Sequence, residues 1–495
     1  MTKKFISNSL SGTLLYVANV LAAFVMSPII VSTLRNRDYG IWEIIAGVVG
    51  YMGLLDLGMG PALVRNIAVS DANNDELMVK KVISSAFCFF LIIGFVAFIL
   101  LAIFSHYPKI IFGVDALEIN SLQNVIFIVG VHLLVKFPSA VFIGVLMGLQ
   151  RHYFINNVRL IILLIQTITV YFLFTKCNVN GLFTLAIIDL ASALVQCVLF
   201  VTLFCISDEL PMPSKKYISF TTLCELVRFG IKNSILMLSS RLQKQSIPII
   251  IGRVIGLQNV IFFTMPNKLI EYALGFSMAM GFPLMPYFSA LSQSDNISTK
   301  QSKWKKTSFL LQIVTLAMPV MLSFLGKPFL SIWIGSEYAE KGSVVLQFLI
   351  LGMVVEAISP NAGRLIIGAN KHGFTAKIWL IISILFVPCS IIGAHLYGIE
   401  GVALVSSITS SIGSFVMLYF ACHEIEISII EHIKATVIPL LIPLIILAMS
   451  LWVYFIICPP LTYLVIISGS VLSILFYLIS IFIVSKTGFF NVITS

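Results

Sequence analysis

Charge is what this chain has least of: only 11% of its 495 residues are Asp, Glu, Lys or Arg, while 59% are hydrophobic. With a mean hydropathy of +1.04, that composition excludes a soluble globule with a wet surface and requires an integral membrane protein. Paired cysteines are also missing. The eight cysteines show no CxxC spacing and mostly fall inside apolar runs, and the seven histidines are scattered, so neither a disulfide framework nor a metal site is expected. No phosphate-binding loop occurs, because Gly326-Lys327 is followed by Pro328. Direct ATP hydrolysis is excluded with it. GxSxG and HExxH are absent too, the loops outside the apolar runs are short, and no cofactor motif is present. These absences weigh against an enzyme.

What is present is an internal echo. Pro28-Ile29-Ile30 returns as Pro248-Ile249-Ile250, Gly148-Leu149-Gln150-Arg151-His152 as Gly368-Ala369-Asn370-Lys371-His372, and Val179-Asn180-Gly181-Leu182 as Ile399-Glu400-Gly401-Val402, all at an offset of 220 residues. Apolar matches mean little here, but Pro, Gly and His held in one register point to a duplicated membrane half.

The expected fold is an all-α polytopic membrane protein of about 14 transmembrane helices, given ~20 apolar residues per crossing. The runs fall at about 11–34, 40–63, 82–105, 121–148, 155–174, 181–206, 223–251, 257–290, 307–325, 343–367, 375–394, 400–422, 432–457 and 461–485. The first is too long for a signal-peptide core, so no cleaved targeting segment is expected. The eighth carries Pro266, Pro283 and Pro286 and should kink. Two pseudo-symmetric six-helix lobes follow, 1–206 and 223–422, joined by a cytoplasmic linker at 207–222. Residues 423–495 add a final helix pair and tail. Lys3, Lys4, Arg65, Lys80, Lys81, Arg151, Lys215, Lys216 and the lysines at 300–306 fall on one side, which puts both termini in the cytoplasm. That asymmetry accounts for much of the net charge of +10, and a nucleic-acid partner is not expected. Trp304 suits either an interfacial belt or ordinary packing.

Charges within the apolar runs need a cavity or a partner. Lys136 lies twelve residues before Gly148 and Glu356 twelve before Gly368, about 18 Å of straight helix. They are repeat equivalents of opposite sign, and pairing across a central cleft or within each lobe are both open. Ser234, Arg241, Lys244 and Gln245 share one side of the seventh helix, which is expected to line water. Lys268 and Glu271 are spaced for an intrahelical pair, and Asp56 for pairing with Arg65 or for holding a proton. His132 and Asp189 are further titratable candidates, and Arg364 shares the tenth helix with Glu356. The balance is slightly cationic and suits an anionic cargo such as a phosphate or pyrophosphate headgroup. Arg241, Lys244 and Arg364 are the expected headgroup contacts, with Lys136 as a further contact and Gln245 and Ser234 beside them. Glu356, Asp56, Asp189, Lys268 and Glu271 are the candidates for gating or ion coupling.

The opening Asn8 to Leu34, Tyr39-Gly40-Ile41-Trp42, the run from Gly50-Tyr51 through Asp56-Leu57-Gly58 to Arg65, and Gly148-Leu149-Gln150-Arg151 resemble Wzx-type O-antigen flippases. These belong to the multidrug/oligosaccharidyl-lipid/polysaccharide exporter superfamily, and the resemblance covers the whole chain. It implies translocation of an undecaprenyl-pyrophosphate-linked oligosaccharide across a bacterial cytoplasmic membrane by alternating access, with possible ion coupling. It also implies contacts with membrane lipids, a polymerase and a chain-length regulator. The alternatives are a lipid II flippase, a multidrug exporter of the same superfamily, and a polytopic sugar polymerase or ligase. The first apolar run has no charged residue and the seventh has only Glu225 as a carboxylate, which counts against drug export.

Overall fold

The computed structural model describes residues 2–107, 119–177, 179, 181–206, 210–281, 284, 296–369 and 372–486. Among them every regular element is helical, and the chain forms two compact units, Met1–Gln258 and Asn259–Ser495.

In the first unit, α1 covers Thr2–Met52 and breaks at Arg35, whose φ of 58° and ψ of 177° are not helical. A straight helix of that length would run for about 75 Å, far more than the ~30 Å of a bilayer core. The break divides it into two crossings. The expected second run at 40–63 is not continuous. A 3-10 turn at Gly53–Asp56 follows α1, Leu57 and Gly58 are left-handed, and α2 (Met59–Ala72) then resumes. Asp56 stabilises this interruption through its Oδ1, which accepts the Gly58 N–H at 2.8 Å, a side-chain turn typical of aspartate. Next come α3 (Glu76–Ser105), α4 (Ile119–Gly148), α5 (His152–Lys176), α6 (Gly181–Ile206) and α7 (Phe220–Val254). The α4–α5 turn puts Gln150 at a φ of 54°. It is tied to the start of α1 by Asn8, which donates to the Gln150 carbonyl at 2.9 Å and accepts from the Tyr153 N–H at 3.0 Å.

The second unit contains α8 (Val260–Gly281), α9 (Ile297–Thr315), α10 (Ala317–Trp333), α11 (Ser336–Ile358), α12 (Ala362–Gly368), α13 (His372–Glu424), α14 (Ile429–Thr436), α15 (Ile438–Ile457) and α16 (Tyr463–Lys486). The eighth run, expected over 257–290, is described as α8 up to Gly281; Pro283 and Pro286 lie outside the described residues. The ninth spreads over α9 and α10. The tenth, expected as one helix over 343–367, is cut at Ser359-Pro360-Asn361, where proline withholds a backbone donor. Tyr397 and Gly398 break α13 into two crossings. The thirteenth run, expected from 432, starts instead at Ile438 after the separate helix α14.

Ten stretches among the described residues are long and apolar enough to cross a membrane. Two of them, 10–56 and 373–424, hold paired crossings. The expected fourteen is reached only with α7 and α8, which are long enough but not apolar enough to qualify. Helix α7 carries Glu225, Arg228, Lys232, Arg241, Lys244 and Arg253. The duplicated register is visible in the element ends. Gly148 closes α4 and Gly368 closes α12; His152 opens α5 and His372 opens α13. The compact units do not coincide with the repeat boundary, however, since α7 packs on α1, α2 and α3 within the first unit.

The cut between α11 and α12 leaves helix-end carbonyls to be satisfied. Thr315 Oγ1 donates to Ala357 O at 3.1 Å and Gln312 Nε2 to Ile358 O at 2.5 Å. His432 on α14 completes the set. Trp304 Nε1 can only donate, so its 3.1 Å bond to His432 Nδ1 makes that nitrogen the acceptor. The ring proton therefore sits on Nε2 and faces Ile358 O at 3.3 Å. Trp304 is fully buried, which selects packing over an interfacial belt. His432 lies outside the ten apolar stretches. Burial, with a smaller push from Lys305, lowers it from 6.5 to about 4, against the opposing bond to Ile358.

Because the unfolded chain binds the proton more readily, this contribution is complete above pH 6.5 and is lost as pH falls toward 4, at about 1.4 kcal/mol per unit. Thermal unfolding of the purified protein should therefore weaken between pH 7 and pH 5, and His432→Gln should flatten that dependence. An equal loss in the variant would contradict the assignment.

Candidate functional site

Helix α7 supplies the largest group of candidate residues, and glycines on α1 determine how they sit. Gly40 lies against the Leu257 carbonyl, and a Cβ on Gly47 would meet the Gln245 carbonyl at 2.9 Å. At Gly50 the obstacle would be the Gln245 side chain, and at Gly53 the Arg241 guanidinium. Arg241 Nη1 donates to the Gly50 carbonyl, one of the last carbonyls of α1 before the Gly53–Asp56 turn. Ser234 donates to Gly230 O of its own helix at 3.2 Å, beside the left-handed Gly58. Thus Ser234, Arg241 and Gln245 face the interrupted second crossing. Lys244 is exposed.

Arg364 performs the corresponding task in the second unit. Its Nη1 donates to Pro360 O at 2.6 Å and Asn361 Oδ1 at 3.3 Å, and its Nη2 to Met278 O at 3.2 Å. The guanidinium occupies space that a Cβ on Gly281 would fill. Glu356 and Lys268 are half-buried and Glu271 is exposed. The cut after Ile358 removes the straight-helix premise behind the expected depth of Glu356.

A second cluster forms where α4, α5 and α6 converge. Gln166 Nε2 donates to Asp189 Oδ1 at 2.8 Å. His132 lies near the Asp189 main chain and feels the Lys136 charge. Lys136 lies within the attractive field of Asp189 and the repulsive fields of Arg241 and Arg159. The structure therefore joins four residues marked in the sequence, His132, Lys136, Asp189 and Arg241, and adds Arg159 and Gln166. Arg159 was passed over because it stands near the start of its apolar run, where a long cation is unremarkable. Gln166 carries no charge to draw notice. Asp56 does not pair with Arg65. The Arg65 guanidinium instead stacks over Phe229, 4.6 Å from the ring centre. Among the described residues, no three His, Cys, Asp or Glu side chains converge as a metal site.

Among the described residues the scaffold is helical, carries the repeat in its helix ends, and gathers charged clusters among its apolar runs. The chain belongs to the family described as Polysaccharide biosynthesis protein, which matches residues 5–292. A Shigella flexneri protein named provisionally as an O-antigen transporter is 22% identical over 404 residues, covering 81% of this chain and 94% of that protein. Among solved structures, the lipid II flippase MurJ in an inward closed conformation superposes with a TM-score of 0.73 at 14% identity, over 97% of this chain and 100% of its own. An inward-facing multidrug resistance transporter of the MATE family, from the MOP superfamily, gives 0.69 at 14% identity, over 82% and 94%. These likenesses establish the exporter fold.

The Lys136–Asp189 relation is testable by a double-mutant cycle. Asp189→Asn alone should destabilise the membrane-embedded protein, because it leaves a cation without its nearby negative field. Lys136→Met in the same chain should recover most of the loss, with a coupling of about 1–3 kcal/mol. Strictly additive effects on thermal stability would show that the two residues act independently.

Proposed function

We propose that the protein is a flippase that moves an undecaprenyl-pyrophosphate-linked oligosaccharide from the cytoplasmic to the outer leaflet of a bacterial inner membrane by alternating access. The supporting observation is the cluster on α4–α7, where Lys136, Arg159 and Arg241 act near the single carboxylate of Asp189. Positive charge among apolar helices is costly, and a phosphate-rich headgroup offsets that cost while leaving the lipid tail in the bilayer. The family assignment favours a transporter over a polymerase or ligase, and the cationic balance favours an anionic cargo over a cationic drug.

In this reading Lys136 and Lys244 contact the headgroup, and Gln245 and Ser234 shape the wall beside it. Arg241 and Arg364 each hold the backbone of their own unit, since their guanidiniums are engaged by carbonyls. Asp189 is the foremost candidate for ion coupling because its carboxylate sits among Gln166, His132 and Lys136; Asp56, Glu356, Lys268 and Glu271 serve gating. Both termini lie in the cytoplasm, and a polymerase and chain-length regulator act on the delivered unit. By descent the chain divides into two six-helix lobes, 1–206 and 223–422, and a final helix pair. A lipid II flippase is the closest competing reading, because MurJ shares the fold and its named cargo is lipid II.

Removal of the protein from its native host should abolish surface polysaccharide while completed lipid-linked units accumulate in the cytoplasmic-facing leaflet. Units that reach the outer leaflet normally but remain unpolymerised would overturn the proposal in favour of an enzyme. Arrested cell-wall synthesis with surface polysaccharide intact would indicate lipid II, and altered drug sensitivity with an unchanged glycan would indicate drug export.

A further inference from the structure

The cations among the apolar helices fall into two kinds. Arg241 and Arg364 spend their guanidiniums on backbone carbonyls. Lys136 and Arg159 do not. Both side chains are exposed in the first unit, and among the described residues neither forms a hydrogen bond or a close ion pair. Their charges repel through the space between them. Asp189 supplies Lys136 with an opposing field, but its Oδ1 already accepts from Gln166. Among the described residues no carboxylate forms an ion pair with Arg159.

Position along the helices sharpens the point. Arg159 follows the start of α5 at His152 by seven residues, about 10 Å of helix. Lys136 precedes the end of α4 at Gly148 by twelve, about 18 Å. Those two ends are joined by the short turn at 149–151, so both distances run from one side of the protein. Arg159 is the shallower charge and Lys136 the deeper.

Resting on the flippase reading, we infer that Arg159 is a further cargo-contact residue, which receives the pyrophosphate of the lipid-linked substrate first and passes it inward to Lys136. Guanidinium suits the first step because its planar fork grips two phosphate oxygens at once and stays charged when desolvated. Lysine suits the second, since a single rotatable ammonium holds the headgroup without fixing its orientation. An ordinary snorkelling arginine would instead serve any anionic lipid at the interface, and the experiment separates the two.

Purified full-length protein in phosphatidylcholine nanodiscs is titrated with undecaprenyl pyrophosphate, then with phosphatidylglycerol as the bulk anionic lipid. Arg159→Gln should raise the Kd for the pyrophosphate about tenfold or more, Arg159→Lys should fall between, and phosphatidylglycerol binding should stay unchanged. Thermal stability of Arg159→Gln should equal or exceed that of the parent, because an unpaired cation has been removed. Pyrophosphate binding by the parent with an unaltered Kd in Arg159→Gln overturns the Arg159 assignment and leaves the flippase reading standing. Equal weakening for both lipids also overturns it, by making the residue a general lipid anchor. Failure of the parent to bind the pyrophosphate at all overturns the flippase reading itself.

Discussion

A backbone carbonyl released by a broken helix has no water to turn to inside a bilayer, and an unsatisfied one costs several kcal/mol. The described chain breaks its helices repeatedly, at Arg35, at 53–58, at 359–361 and at Tyr397–Gly398. Around two of these breaks, side chains from neighbouring helices supply donors. Arg241 reaches Gly50 in the first unit, and Thr315, Gln312, His432 and Arg364 surround the second-unit cut. Glycine makes the first arrangement possible, since any Cβ at Gly53 would exclude the guanidinium.

This requirement divides the charged residues by task. An arginine engaged by carbonyls is partly neutralised and held in place, which suits a backbone clamp better than a site that must bind and release cargo. Lys136 and Arg159 keep their charges available. Asp189 and Gln166 sit close enough to moderate Lys136 without tying it down. In the first unit α7 docks on the glycines of α1 and of the turn after it, while α4, α5 and α6 meet around Lys136 and Asp189.

Much of this architecture is legible in the sequence. Gly148 and Gly368, and His152 and His372, mark equivalent helix ends in the structure as they mark the repeat in the chain. Hydropathy finds the crossings because an apolar run is a strong, local signal. It does not find their interruptions. Gly53 to Gly58 reads as part of a continuous run, since leucines fill the gap and the left-handed turn depends on Asp56 and on the approach of α7. Pro360 was visible, but the donors that make its break tolerable come from α9 and α14, distant in sequence. The same nonlocality explains the site. Helical periodicity puts Ser234, Arg241, Lys244 and Gln245 on one side of α7 and expects water there, yet cannot say that glycine and backbone meet Arg241 and Gln245. Arg159 looked ordinary because its want of a partner appears only when its neighbours are in place.

The contrast between a clamp and an available charge is measured most directly by ligand-free thermal unfolding of Arg241→Ala beside Lys136→Ala. Loss of the clamp should strand the Gly50 carbonyl and leave a cavity above Gly53, lowering the unfolding temperature markedly, while Lys136→Ala, which loses only the attraction of Asp189, should lower it clearly less. Comparable stability in both variants, or a larger loss from Lys136→Ala, would contradict the division of roles.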